Sequence, residues 1–154
     1  MSQAHLNLPL LMLIQELKSR GYFINIEAAG TRIVKEVFDL VDFISYDFKT
    51  PSTEVRTSKE LLVKFMNEYG FKSQIKAVVA DKKDFEATFD AFHFARTQNV
   101  PHIPWCLTPC YEPGEPFPMN RFQQVIKLNE SFGLPFRVIG QQHKWAYGPS
   151  ERLV

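Results

Sequence analysis

Polar and apolar side chains alternate along this chain at two different periods, and the switches between them divide it into helices and strands. From about Leu8 to Arg20, the residues Leu10, Leu13, Ile14 and Leu17 recur at the i, i+3, i+4, i+7 spacing of an amphipathic helix. Gly21 can stop that helix by turning left-handed just past its last turn, and Gly70 after Tyr69 and Gly133 after Phe132 carry the same signal. A second helix is expected from Thr57, whose hydroxyl can cap while Glu60 reaches back, with Leu61, Leu62, Phe65, Met66 and Tyr69 as its apolar stripe. A third follows Asp81 and carries Phe85, Phe89, Phe92 and Ala95 or Arg96. A fourth, from about Met119, uses Phe122, Val125 and Ile126, and a shorter one covers Ile33 to Val41.

Between these helices lie short β-rich runs: Tyr22 to Glu27, Asp42 to Phe48, Gln74 to Ala80, Ile103 to Thr108 and Pro135 to Gly140. Strands separated by helices need crossover connections, which is the signature of a parallel sheet. The expected fold class is therefore α/β, with about five parallel strands, open or curled toward a barrel, and helices packed outside. No linker, repeat or low-complexity stretch divides residues 1–154, which read as a single domain.

Several strands alternate where a parallel strand covered on both sides would be continuously apolar. In the run from Phe43 to Lys49, Ile44, Tyr46 and Phe48 point one way, and Ser45, Asp47 and Lys49 the other. Asn25 and Glu27 alternate in the same way with Ile24 and Ile26, as do Gln74 and Lys76 with Ile75 and Ala77. If the apolar sides lie under the helices, the polar sides line a shared concave surface toward the C-terminal strand ends, where α/β enzymes place their sites. The alternatives are a solvated sheet face, or an internal ion pair of Asp47 with Lys49 or Lys76.

Composition narrows the function classes. Hydrophobic residues make up 45% of the chain and charged ones 23%, as in a globular domain. Eighteen Lys and Arg against 17 Asp and Glu leave a net charge of +1, too little for generic nucleic-acid binding. The longest apolar run, Leu10 to Ile14, is too short to span a membrane, and no basic segment precedes it as in a signal peptide. The expectation is a soluble, cytoplasmic protein without membrane or nucleic-acid partners. Cys106 and Cys110 alone supply neither a disulfide framework nor four metal ligands, and read as small, half-buried residues near a strand end. Histidines at 5, 93, 102 and 143 lack paired ligand spacing, and His93 between two phenylalanines reads as structural. Ser150 lacks a nucleophile-elbow frame, and no glycine-rich phosphate loop is present. The stretch Pro109 to Pro118 reads as a rigid connector, or as a wall or lid over the strand ends.

Three motifs in order, Ile26-Glu27-Ala28-Ala29-Gly30-Thr31, then Ile44 to Pro51, then Gly140-Gln141-Gln142-His143-Lys144-Trp145, resemble the 7-carboxy-7-deazaguanine synthase family. The runs Gln74 to Val79 and Trp105 to Pro109 fall where that family has its later strands. The resemblance covers nearly the whole chain but only the family's later, larger portion. It implies a partial (β/α) barrel, and a radical S-adenosylmethionine lyase that turns 6-carboxytetrahydropterin into 7-carboxy-7-deazaguanine in queuosine biosynthesis, with a [4Fe-4S] cluster and magnesium.

By this resemblance Glu27, Ser45, Asp47 and Lys49 lie along the S-adenosylmethionine side, while Gln141, His143 and Lys144 close the pterin pocket. The family's three-cysteine motif and Gly-Gly-Glu-Pro segment belong to its first two strands, and this sequence starts at the helix after them. Gly114-Glu115-Pro116 is a turn in the wrong place to replace that segment, and the family's Thr-Asn pair is Ala28-Ala29 here. The cluster is accordingly not expected on this chain alone. The reading is a truncated, C-terminal piece of such a synthase, inactive by itself, which acts as a homodimer or with a chain carrying the missing half. The other readings are a non-catalytic purine-, pterin- or S-adenosylmethionine-binding module, and a subunit that regulates a full-length partner. An uncovered sheet edge and an uncovered apolar helix face are also expected, and with them self-association. The tail after Gly148 either covers the pocket or hangs free.

Overall fold

The computed structural model describes residues 4–150, with side chains from Leu8 to Ser150; the side chain of His5 and residues 151–154 of the tail lie outside what it describes. Six α-helices and five strands alternate: α1 (Ala4–Ser19), β1 (Asn25–Ala28), α2 (Lys35–Leu40), β2 (Phe43–Phe48), α3 (Lys59–Tyr69), β3 (Ser73–Val79), α4 (Lys82–Thr97), β4 (Trp105–Pro109), α5 (Met119–Ser131), β5 (Arg137–Val138) and α6 (Gln142–Tyr147). The strands form one sheet in the order β1-β2-β3-β4-β5, and every neighbouring pair is parallel. Each crossover advances the sheet one strand in the same direction, which gives a partial (β/α) barrel-like arc with its helices on one side.

The alternation visible in the sequence decides which side that is. Ile44, Tyr46, Ile75, Ala77, Val79 and Leu107 are all buried on the helix side of the strands. Tyr46 stacks on Phe65 of α3 with ring centroids 4.0 Å apart, and its hydroxyl donates to the Gly30 carbonyl at 3.0 Å. Burial pushes the ionisation of Tyr46 far above its ordinary value. Farther along the sheet, Phe92 meets Trp105 and Phe136 edge-on at 5.5 and 5.2 Å. Fully burying one such aromatic side chain stabilises the fold by about 1.5–3 kcal/mol. Gly30 is required where the chain leaves β1: at φ +73°, a Cβ there would lie 2.0 Å from the Asp47 carbonyl oxygen.

One buried carboxylate ties the C-terminal strand ends together. Asp84 in the first turn of α4 accepts bonds from the Ser52 N–H at 2.9 Å, the Ser52 hydroxyl at 2.6 Å and the Ala80 N–H at 2.9 Å. It thereby pins the loop after β2 to the loop after β3. Asp81 caps α4 by accepting the Asp84 N–H, as its position before the helical pattern predicts.

Local expectations are corrected at several points. Ser58, not Thr57, caps α3 by accepting the Leu61 N–H, because the buried Thr57 hydroxyl already accepts the Lys49 N–H at 2.9 Å. Gly21 and Gly133 are left-handed, but Gly70 is right-handed and continues into a short 3-10 turn. Space explains Gly70 instead, since a Cβ there would press on Ile103 Cγ2 at 3.0 Å. In α1 only Ile14 of the apolar stripe is fully buried, and Leu10 and Leu13 are 43% and 54% exposed. This helix packs on α2 and leads to β1, which among the described residues is an edge strand paired with β2. His93 is exposed rather than packed into the core. β1 and β5 are shorter than expected, and α6 forms where the sequence showed only a motif.

Candidate functional site

Strand register brings the inward-pointing polar residues into rows. Glu27, Ser45 and Gln74 are aligned across β1, β2 and β3, and the next row holds Asp47, Lys76, Cys106 and Arg137 from β2 to β5. These positions face away from the helices, on the concave side of the sheet. A cavity of about 590 Å³ opens over them, lined by Glu27, Gln74, Lys76, Cys106 and Thr108 and closed on the far side by residues 139–143. No described helix is long and apolar enough to cross a membrane.

Lys76 Nζ lies 3.1 Å from Glu27 Oε1, and the lysine is much the less exposed of the two, 21% against 72%. So exposed a carboxylate holds its partner weakly, and the ammonium group keeps further N–H donors for a ligand. The Gln74 amide donates to Ser45 Oγ at 3.1 Å and accepts from the Cys106 thiol at 3.5 Å, which fixes its orientation. Across the cavity, Gln141 Oε1 is buried and has no hydrogen-bond partner among the described residues. A buried oxygen left without a donor is costly, so a ligand N–H placed there would be favoured.

The far wall is held by contacts behind it. Gly140 lies directly against the Trp145 ring, so close that a Cβ would come within 1.9 Å of Cζ2. Trp145 packs in turn against Phe117 and Phe122, with centroids 6.0 and 5.9 Å apart. Lys144 turns away from the cavity and donates to the Tyr111 carbonyl. The proline-rich loop is braced by Arg121, which bonds Glu115 at 2.7 Å and the Cys110 carbonyl. That pairing holds the Glu115 carboxyl below its ordinary range. The loop is thus the shoulder on which the wall rests.

Of the residues expected on the S-adenosylmethionine side, Glu27 lines the cavity. Ser45 is 3% exposed and engaged by Gln74, while Asp47 and Lys49 pair with each other at 2.6 Å, as one of the sequence alternatives held. Gln141 and His143 line the cavity and Lys144 does not. Gln74 and Lys76 were visible as alternating polar positions, and only the register shows that they form the cavity floor; Thr108 lacked any such signal.

The two thiols do not suit an iron–sulfur cluster. Burial raises the Cys106 thiol above its ordinary value; burial and then the Glu112 carboxylate at 2.9 Å push Cys110 up to about 11. A cluster takes thiolates from three or four cysteines, and these are two. No group of three or more His, Cys, Asp or Glu residues suited to a metal ion is found among the described residues. Glu27 keeps an exposed carboxylate beside Lys76, while Ser45, Asp47 and Lys49 are engaged within the protein. A scan of protein-family models gave no match to this chain, and a search of curated proteins found none significantly similar to it.

Proposed function

We propose that the concave cavity binds a pterin- or purine-like heterocycle carrying a carboxylate, and that the chain is the substrate-binding portion of an enzyme of the 7-carboxy-7-deazaguanine synthase type. The observation that carries this reading is that Gln141, whose buried oxygen has no hydrogen-bond partner among the described residues, lines one cavity with Lys76 and Gln74. A ring N–H or amino group meets the Gln141 oxygen, Glu27 takes a second donor, and the Lys76 ammonium takes the carboxylate. A cavity of about 590 Å³ is of the size that small-molecule sites have.

The chain's own part is to bind and orient. No step is assigned to a cluster, because Cys106 and Cys110 are too few to ligate one. Reductive cleavage of S-adenosylmethionine, with a [4Fe-4S] cluster and magnesium, belongs in this reading to a segment or chain that carries the three-cysteine motif; the proposed associations are with a chain of that kind or as a homodimer, in the cytoplasm. A second reading is a binding module without radical chemistry, which two cysteines, too few to hold a cluster, favour. The Ala28-Ala29 replacement bears on it only in part, since Ala28 lies on the helix side of β1, in register with Tyr46.

Calorimetric titration with 6-carboxypterin and with 6-methylpterin tests the binding site. The expected result is binding of the carboxylate, weakened about tenfold or more by Lys76→Met and by Gln141→Leu, as the loss of one charge-assisted or buried hydrogen bond implies. The Lys76→Met variant should no longer favour 6-carboxypterin over 6-methylpterin. Absence of binding at millimolar ligand, or unchanged affinity in both variants, overturns the reading.

A further inference from the structure

At the opposite end of the sheet, where β4 and β5 begin, a groove of about 720 Å³ opens between the second half of α4, the segment leading into β4 and the turn from α5 to β5. Its walls are aromatic: Phe89 and Phe132 meet edge-on at 4.6 Å, and Phe92 lies beside Phe89 at 6.4 Å. Its rim is basic, with His93 and Arg96 from α4 and His102 from the segment before β4, and no acidic residue lines it. Arg96 lies over the Phe92 ring at 5.6 Å and forms no ion pair among the described residues. Asp90, nearly one turn before His93, is taken by Lys59. The position of Arg96 in the last turn of α4 complements the helix dipole, but that does not account for two histidines around the same aromatic cleft.

The far wall is rigid. Leu134 sits at φ +57°, a left-handed conformation uncommon for a residue with a side chain, and its N–H bonds the Asn129 carbonyl at 2.8 Å. The buried Asn129 side chain holds both the N–H and the carbonyl of Phe136, at 3.2 and 2.9 Å. Phe132 is thereby left 38% exposed at the groove in a fixed position. A preformed cleft with ring faces and edges below and a guanidinium without an ion-pair partner beside two imidazole donors above matches a planar ring that carries an anion. Base stacking on aromatic side chains with a guanidinium on phosphate is the same chemistry that nucleotide-binding surfaces use.

We propose that this groove is a second ligand site and that it takes a mononucleotide, with the phosphate on Arg96, His93 and His102 and the base against Phe132 and Phe89. The test follows the histidine ring C–H signals by NMR during titration with AMP and GMP, with inorganic phosphate and adenosine as controls. Signals are assigned with His93→Asn and His102→Asn. The expected result is a saturable shift of His93 and His102 whose midpoint Arg96→Gln moves, while any shift of His143 reports the concave cavity and is left unchanged by Arg96→Gln. Arg96→Gln should weaken the binding about fivefold or more, as expected for loss of a charge-assisted contact to phosphate. Phe132→Ser, with folding checked by urea unfolding, should weaken the nucleotide and leave the phosphate response unchanged. No shift at millimolar nucleotide, an equal response to phosphate alone, or an unchanged affinity in Arg96→Gln overturns the proposal. Because His143 is read separately, failure here and failure of the concave site are distinguishable.

Discussion

Replacing Gly140 with alanine isolates the part played by the wall of the concave cavity. The added Cβ would sit 1.9 Å from Trp145 Cζ2 and 2.6 Å from Cη2, so the ring must retreat by about 1.5 Å to reach ordinary contact at 3.4 Å. The retreat breaks its packing on Phe117 and Phe122. Each such aromatic contact is worth about 0.5–1.5 kcal/mol, so the segment loses about 1–3 kcal/mol of local stability. The sheet core is untouched, because Trp145 is half exposed and lies outside it. Gln141 and His143 flank the displaced ring on the same helix and its entry, so their hydrogen bonds to a ligand are misplaced together. Losing one or two of these, at about 1–1.5 kcal/mol each, lowers affinity roughly 5- to 150-fold. Calorimetry with 6-carboxypterin reads the affinity, urea unfolding reads the core, and Trp145 fluorescence reads the displacement, since Trp105 is buried. An affinity within twofold of the parent, with the Trp145 signal shifted, refutes the claim that this wall positions the ligand.

Asp84→Ala should be the most damaging polar substitution, because it strips two backbone N–H groups and a hydroxyl of their acceptor; we expect a loss of about 3–5 kcal/mol in urea unfolding, and less than 1 kcal/mol would contradict it. Stability should fall on acidification through Asp42, whose carboxyl is held below its ordinary 3.8 by the Ile24 N–H and then by Lys18. Its folded value is depressed, so its contribution is complete above pH 3.8 and disappears as pH falls through the lower folded value; the gap in urea midpoint between the parent and Asp42→Asn should close over that window. Cys110, raised to about 11, should react with a disulfide reagent at pH 8 far more slowly in the folded protein than in urea, and equal rates would show that the thiol is not suppressed.

The fold was legible where the pattern had one physical cause. Ile44, Tyr46 and Phe48 alternating with Ser45, Asp47 and Lys49 fixed both the strand and the face that the helices cover. Local chemistry was less so, because neighbours compete: Thr57 and Ser58 are both good caps, and a tertiary bond to Lys49 decides between them. Gly70 looks like Gly133 in sequence, but crowding by Ile103 rather than a positive φ explains it. The α1 stripe was correct as a helix signal and silent about what covers it. Of the candidate site residues, Glu27, Gln141 and His143 line the cavity. Lys76 was legible as a polar position of the concave face but its pairing with Glu27 was not, because which cation meets Glu27 depends on register between residues that lie 49 apart in the chain. Lys144 was drawn away by the Tyr111 carbonyl, an acceptor that no motif displays.

A crystal structure of this chain grown with 6-carboxypterin tests the central claim most directly. The account predicts the ring in the concave cavity, a ring or amino N–H within hydrogen-bond distance of Gln141 Oε1 and the carboxylate on Lys76. A ligand bound elsewhere, or a concave cavity filled only by water at saturating 6-carboxypterin, would contradict it.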